Sequence, residues 1–235
     1  MSESCIPTGI DVNELSSLIR ELSGEASYLQ RIDHVSARFV GRPYLANTLI
    51  GGPDTDEVFT ATLEGFDCVT YIETVLAISL SNSVEEFRRN LREMRYEDGE
   101  IDWRKRNHYM LGWAMSNERG GLIANITRGP ETKEKSRVAD VVEGLRPVTF
   151  KFRYFPKSVY PKIRSRIESG DLVLFVSTRK RLDVFHTGFL FVKDDQVVMR
   201  HATRAAGCVI EQPLTEFLKN NRMAGFIILR PLCPH

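Results

Sequence analysis

The sequence is poor in the features that would place it at once. Its 235 residues contain four cysteines, Cys5, Cys68, Cys208 and Cys233, set singly with no C-x-x-C pair. Neither a zinc site nor a disulfide framework is indicated. Charge of one sign is also missing, because 32 Lys and Arg stand against 31 Asp and Glu for a net charge of +1. That balance removes the electrostatic case for a nucleic-acid partner. The basic runs Arg88-Arg89 and Arg179-Lys180-Arg181 read as solvated faces. No stretch is long and apolar enough to span a bilayer. The opening segment, with Ser2, Glu3, Asp11, Glu14 and Glu21, lacks the basic start and apolar run of a signal peptide, so the chain as written points to the cytoplasm. Without a long linker or a low-complexity run, one domain over 1–235 is expected, with a helical N-terminal extension and entry strand over 1–64 and the core over 65–235.

What is present is helical periodicity first and strand patterning later. Leu15, Leu18, Ile19 and Leu22 follow Asp11 at helical spacing, and Leu29, Ile32, Val35 and Phe39 repeat the pattern beyond Gly24. Gly41-Arg42-Pro43-Tyr44 and Gly51-Gly52-Pro53-Asp54 carry turn chemistry, and Val58 to Leu63 reads as a short strand. Ser83 with Glu86 forms a capping box ahead of Phe87, Leu91 and Met94. Arg106 to Trp113 predicts a further helix, and Gly120 to Lys135 has the composition of a loop suited to a lid or a substrate contact. Strands are predicted at Val148–Phe155, Leu172–Ser177, Val184–Val192, Val197–Ala202, Cys208–Glu211 and Phe226–Leu229. Short helices over Ser158–Glu168 and Leu214–Leu218 interrupt them, and Asp194-Asp195 reads as a hairpin turn. Helices followed by an antiparallel meander make an α+β fold with a helix packed on a curved sheet.

Chemistry concentrates at Gly65-Phe66-Asp67-Cys68-Val69-Thr70, where a polar turn runs into an apolar helix. A sulfur at the first turn sits among unpaired backbone N–H groups, whose dipoles favour thiolate over thiol. The helix carries Val69, Ile72, Val75, Leu76 and Leu80 on one face. Downstream, His186 and His201 fall in strand patterns and supply imidazoles for activation and orientation. Buried, hydrogen-bonded core residues are the alternative for each of these three.

The order of a Cys at a helix start, His186 within Asp183-Val184-Phe185-His186-Thr187-Gly188 and a polar residue in the next strand resembles the NlpC-type branch of the papain-like cysteine hydrolases. Gly41-Arg42-Pro43-Tyr44, Phe66 to Glu73, Arg106-Asn107-His108-Tyr109 with Trp113, Gly170-Asp171-Leu172-Val173 and His201-Ala202-Thr203 resemble its N-acetylmuramoyl-L-alanine amidase-like family, from about Phe39 to Phe217. The resemblance implies Cys68 as nucleophile, His186 as general base and acid, and His201 as the group that orients it. It also implies cleavage of the amide between the lactyl group of N-acetylmuramic acid and L-alanine in peptidoglycan fragments, by enzymes exported to the cell envelope. The segment from Thr127 to Ser136 and the missing export signal depart from the family's pattern.

Around that set, Tyr44 is a candidate wall of the site or a core tyrosine, and Arg42 and Arg106 are candidate partners for stem-peptide carboxylates. His108, Tyr109 and Trp113 divide between substrate groove and core packing, and Asp67 is a helix cap. No cofactor and no metal are expected, since Cys and His suffice for acyl transfer. Two other functions share the sequence features: a cytoplasmic acyltransferase or cyclising thioesterase acting on a carrier-bound acyl group, and a silent module that binds wall fragments.

Overall fold

In the computed structural model, which describes residues 7–25 and 27–233, short polar side chains start the first four α-helices. Cys5, Ser2 and Glu3 lie outside the described residues. Two compact units are formed, one from Met1–Asn107 with Ala202–Ile210 and the other from His108–His201 with Glu211–His235.

In the first unit, α1 (Val12–Glu21) begins at Asp11, whose carboxylate accepts the N–H groups of Asn13 and Glu14 at 2.8 and 3.0 Å. Ser27 caps α2 (Tyr28–Arg38), and Ile50–Gly52 (β1) pairs antiparallel with Thr55–Val58 (β2). Next come α3 (Cys68–Ser79) and α4 (Val84–Arg95), the latter capped by the Ser83 hydroxyl. Every residue of α3 from Thr70 to Ser79 is buried, so the single apolar face read from the sequence is too narrow. Its polar groups are satisfied inside: Tyr71 donates to the Ser36 carbonyl at 3.0 Å, Ser79 to the Val75 carbonyl at 2.8 Å, and Glu73 accepts from Arg95 Nε at 2.8 Å. The strand predicted at Val58–Leu63 is not formed. The chain leaves β2 at Val58, and Phe59 and Ala61 instead exchange backbone hydrogen bonds with Thr8 at a single bridge.

The second unit opens with α5 (Met110–Arg119), which starts later than the sequence pattern implies because Asp183 supplies its cap from a distance. An antiparallel sheet follows: Ile123–Asn125 (β3), Lys133–Ala139 (β4), Val148–Pro156 (β5), then after the short α6 (Tyr160–Ile163), Leu172–Val176 (β6), Val184–Lys193 (β7), Gln196–Thr203 (β8) and Cys208–Pro213 (β9), the end of β8 and the start of β9 being counted in the first unit. Helix α7 (Leu214–Asn220) leads into Gly225–Pro231 (β10). The spatial order is β4-β5-β10-β6-β7-β8-β9, with β3 paired to β10. Strand β6 is buried throughout, and its Val173 and Phe175 join Phe155, Ile163, Leu190, Met199, Phe217 and Phe226 in a core cluster. Each such side chain contributes about 1.5–3 kcal/mol on burial. The stretch from Gly120 to Lys135 is not one loop, since β3 and the start of β4 lie within it and Glu131 is tied to Arg166 at 2.9 Å. The fold is mixed α+β with an antiparallel sheet, as the sequence implies.

Candidate functional site

Cys68 is the first residue of α3, half-buried, and the turn before it is fixed by a reciprocal cap. Asp67 Oδ1 accepts the N–H groups of Val69 at 2.9 Å and Thr70 at 2.8 Å, while the Thr70 hydroxyl accepts the Asp67 N–H at 3.0 Å. The cap uses the second and third amides of the helix and leaves the sulfur beside its start. Gly65 is required just upstream, because a Cβ there would stand 2.5 Å from the Pro43 carbonyl oxygen. That close approach lets the Gly41–Tyr44 segment lie against Phe66, with Phe66 N–H donating to the Pro43 carbonyl and Leu45 N–H to the Phe66 carbonyl, both at 3.0 Å. Tyr44 is thereby held near the thiol. Burial pushes its phenol above the usual tyrosine range, the charges of Cys68 and Asp67 add to the effect, and Arg204 opposes it.

Two of the sequence candidates in this unit are already engaged. Arg42 pairs with Glu14 at 2.6 Å on the surface, and Arg106 makes two contacts of 3.0 and 3.1 Å with Glu57, whose side chain is buried. Tyr96 donates to the same carboxylate at 2.7 Å. Burial and that hydrogen bond raise the Tyr96 phenol far above its ordinary value.

In the second unit β7 and β8 bring the two histidines together. His186 Nε2 lies 2.5 Å from His201 Nδ1, with the rings near perpendicular at a centroid separation of 4.8 Å. Gly188 permits this: a Cβ at that position would meet the His201 Cβ at 2.8 Å and the Arg200 carbonyl oxygen at 2.9 Å. The close approach that Gly188 allows is thus to the next strand. Aromatic side chains cover the His186 ring, with Phe217 stacked at 5.4 Å, Phe175 at 6.3 Å and Phe185 at 6.5 Å. His201 is fully buried. Loss of water disfavours the charged imidazolium and lowers His186 to about 4, and for His201 burial with the neighbouring ring lowers it to about 3. Both rings are therefore neutral at pH 7, the form a general base needs.

A third polar residue extends the pair. Gln212 Nε2 stands 2.7 Å from His201 Nε2, one position after Glu211, which grips Arg200 at 2.6 Å, and a half-turn of the amide would put its oxygen there instead. The amide's direction decides the proton order of the whole relay. With its oxygen toward the ring it accepts from His201 Nε2–H, His201 Nδ1 accepts from His186 Nε2–H, and the lone pair of His186 Nδ1 is left free. With its nitrogen toward the ring every proton shifts one place and that lone pair is lost. Sequence reasoning passed over Gln212. Its only signal is its place on β9, the strand beside β8 in the sheet.

The remaining candidates serve α5. His108 is half-buried just before that helix, and Tyr109 Oη accepts the Val142 N–H at 3.2 Å while its ring meets Phe150 edge-on at 6.1 Å. Trp113 is fully buried, and its indole N–H has no hydrogen-bond partner among the described residues. Asp183 is buried too, and its Oδ2 accepts the Leu111 N–H at 2.8 Å. Burial pushes its carboxyl above the ordinary range against the hydrogen bonds that lower it. Among the described residues Cys68, Cys208 and Cys233 are not joined in disulfides, with Cys208 at the start of β9 and Cys233 exposed.

Residues 34–226 match the sequence pattern of a family described as AmiA-like, N-acetylmuramoyl-L-alanine amidase-like. Among solved structures, an N-acetylmuramoyl-L-alanine amidase from Bacteroides uniformis is similar at 25% identity and a TM-score of 0.78, over 87% of this chain and 99% of that one. A second crystal structure under the same name and from the same organism gives 25% identity and 0.75, over 85% and 98%. A Legionella pneumophila protein shares the fold at 23% identity and a TM-score of 0.83, over 94% of each chain. A search among curated proteins finds no match.

Proposed function

Because this chain belongs to the N-acetylmuramoyl-L-alanine amidase-like family, we propose that it is a cysteine-dependent amidase that cuts the bond between N-acetylmuramic acid and L-alanine in peptidoglycan fragments. The proposal includes an NlpC-type, papain-like organisation and a single catalytic domain. The observation that carries it is the neutral, desolvated His186–His201 pair with the Gln212 amide beside it, which offers an imidazole nitrogen to a thiol when the amide is turned with its oxygen toward His201. The reciprocal cap that fixes the turn at Cys68 supports it from the other side.

The mechanism assigns each proton. His186 Nδ1 takes the thiol proton of Cys68 as the sulfur attacks the amide carbonyl carbon, and a backbone N–H at the start of α3 stabilises the oxyanion. Collapse of the tetrahedral species breaks the C–N bond, and His186 gives the proton to the departing amine of L-alanine. A water molecule then loses a proton to His186 and attacks the thioester. The muramoyl carboxylic acid leaves, and Cys68 recovers its proton. Throughout, His201 accepts from His186 Nε2–H, and Gln212, with its amide turned so that the oxygen faces the ring, accepts from His201. Tyr44 lines the thiol side. His108, Tyr109 and Trp113 are assigned to support of the wall, and Arg42 and Arg106, committed to Glu14 and Glu57, to positioning the segments that carry them.

The test compares wild type with Cys68→Ala on defined muropeptides, together with alkylation of Cys68 by iodoacetamide in wild type and in His186→Ala. Loss of about 10³-fold or more in turnover for Cys68→Ala is expected. Slower alkylation in His186→Ala is expected as well. Full activity of Cys68→Ala would overturn the proposal.

A further inference from the structure

Successive side chains of a strand point to opposite faces of the sheet, so the side of β8 and β9 that carries His201 and Gln212 has a reverse side one residue away. Arg200 and Glu211 meet there. Glu211 Oε2 accepts from Arg200 Nε at 3.1 Å and from Nη2 at 2.6 Å, and Lys193 Nζ lies 2.7 and 2.9 Å from the two carboxylate oxygens. The Arg200 guanidinium stands 4.2 Å from the centre of the Phe191 ring, and its side chain is 3% exposed. Strand register gives the cluster its face, since Arg200 is opposite Phe189 on β7 and Phe191 and Lys193 follow on the same side. Burial works against the Glu211 carboxylate, but the hydrogen bonds and charges of Lys193 and Arg200 outweigh it and hold its carboxyl below the ordinary range.

The last strand in the order of the sheet is β9, with β8 beside it. Its alignment along β8 decides what meets His201. A slip by one residue would turn Gln212 to the wrong face, and a slip by two, which restores the face, would carry it about 6.6 Å along the strand at about 3.3 Å per residue. Either displacement breaks the 2.7 Å contact with His201 Nε2. An ion pair inside the sheet opposes both, because a buried guanidinium parted from its carboxylate is left with an uncompensated charge, whereas apolar side chains tolerate more than one alignment.

We infer that Arg200 and Glu211 are positioning residues: their ion pair on the reverse face holds β9 in the one alignment with β8 that sets the Gln212 amide against His201, and for its effect on turnover the inference rests on the amidase reading. Neither side chain touches substrate or the reacting atoms. Their influence passes through Gln212, which with its oxygen toward the ring fixes the proton on His201 Nε2 and so leaves His186 Nδ1 free. Without the pair the amide leaves the ring, and both tautomers of the coupled imidazoles become populated.

The experiment replaces the pair by apolar side chains, Arg200→Met/Glu211→Leu, so that no buried charge is left alone and the fold is kept. Nitrogen-15 labelling of histidine reads the tautomers by NMR, and steady-state kinetics on one muropeptide reads kcat and KM. Wild type is expected to show one pattern, with Nε2 protonated on both His186 and His201. The double variant is expected to add a second pattern, with kcat about tenfold lower and KM within about twofold. In a Gln212→Leu background the same replacements change kcat by less than about twofold, because the contact they act through is already gone. A purely structural role would lower stability in urea and leave the tautomers as they are. Glu211→Gln, which keeps an oxygen for Arg200, is expected to show the second pattern more weakly, with kcat about threefold lower. A single nitrogen-15 pattern and wild-type kcat in Arg200→Met/Glu211→Leu, or in Glu211→Gln if the double variant does not fold, overturn the inference, as does a full further loss in the Gln212→Leu background. No cleavage by wild type, with the second pattern still appearing in the variant, overturns the amidase reading and leaves the positioning role standing.

Discussion

The buried histidine pair makes stability depend on pH in a defined window. In the unfolded chain an imidazole titrates near 6.5, whereas in the fold His186 is lowered to about 4 and His201 to about 3. Between those values the unfolded state binds protons that the native state refuses, so stability is fully present above 6.5 and falls as pH drops toward 4. The depression of His186 alone corresponds to about 3 kcal/mol, at about 1.4 kcal/mol per pH unit. His201 adds a further loss in the same direction, shared with His186 because the rings repel when charged. Urea denaturation at several pH values from about 7.5 to about 4.5 reads this, with His186→Gln/His201→Gln as the reference that lacks both titrations. Wild type is expected to lose about 2 kcal/mol or more beyond the loss of the variant. The acids Asp171 and Asp183, which burial pushes the other way, are common to both proteins and cancel in the difference. Parallel curves for the two proteins would refute the assignment of two neutral, desolvated rings.

Replacing Gln212 by Leu removes the amide at His201 Nε2 and should lower kcat by about 10- to 100-fold with KM little changed, while Gln212→Glu, which supplies an acceptor there, retains more activity. Steady-state kinetics on one muropeptide separates the two, and a larger change in KM than in kcat would contradict the positioning role. Gly188→Ala drives a methyl to 2.8 Å from the His201 Cβ, so a loss of about 1–3 kcal/mol in urea denaturation is expected, with activity falling as the imidazoles separate. Glu73→Ala leaves the Arg95 guanidinium, 2% exposed, without its carboxylate inside the first unit. Thermal unfolding should report a loss of about 3–5 kcal/mol, and a loss under 1 kcal/mol would mean that water reaches the charge.

The features that sequence made legible are those set by local chemistry. Asp67 and Ser83 begin helices because their side chains accept amides two or three residues ahead, a geometry that needs no tertiary partner. The apolar run Leu172 to Val176 and the alternation around Val197 gave strands for similar reasons. Strand β4 escaped because Lys133, Glu134, Lys135 and Arg137 make it read as a charged loop. It forms because seven successive residues pair with β5, and only that partner reveals it. The β1–β2 hairpin escaped because Gly51 and Gly52, just before Pro53, carry turn chemistry into β1 itself.

At the site the same division holds. The helix start at Cys68 and the strand positions of His186 and His201 are local properties, but the 2.5 Å contact between the rings depends on register across β7 and β8. Arg42 and Arg106 looked available because their acids, Glu14 and Glu57, lie 28 and 49 residues away. Gln212 carried no signal at all, since a lone glutamine at the end of a strand gains meaning only from the ring beside it.

The most direct test of the amidase account is the identity of the bond cut. Purified enzyme would be incubated with a muropeptide in water enriched in oxygen-18, and the products read by mass spectrometry. The account predicts a peptide with free L-alanine at its amino end and an oxygen-18 atom in the new lactyl carboxylate, both absent with Cys68→Ala. Label in a peptide carboxylate instead, with the sugar still attached to L-alanine, would contradict it.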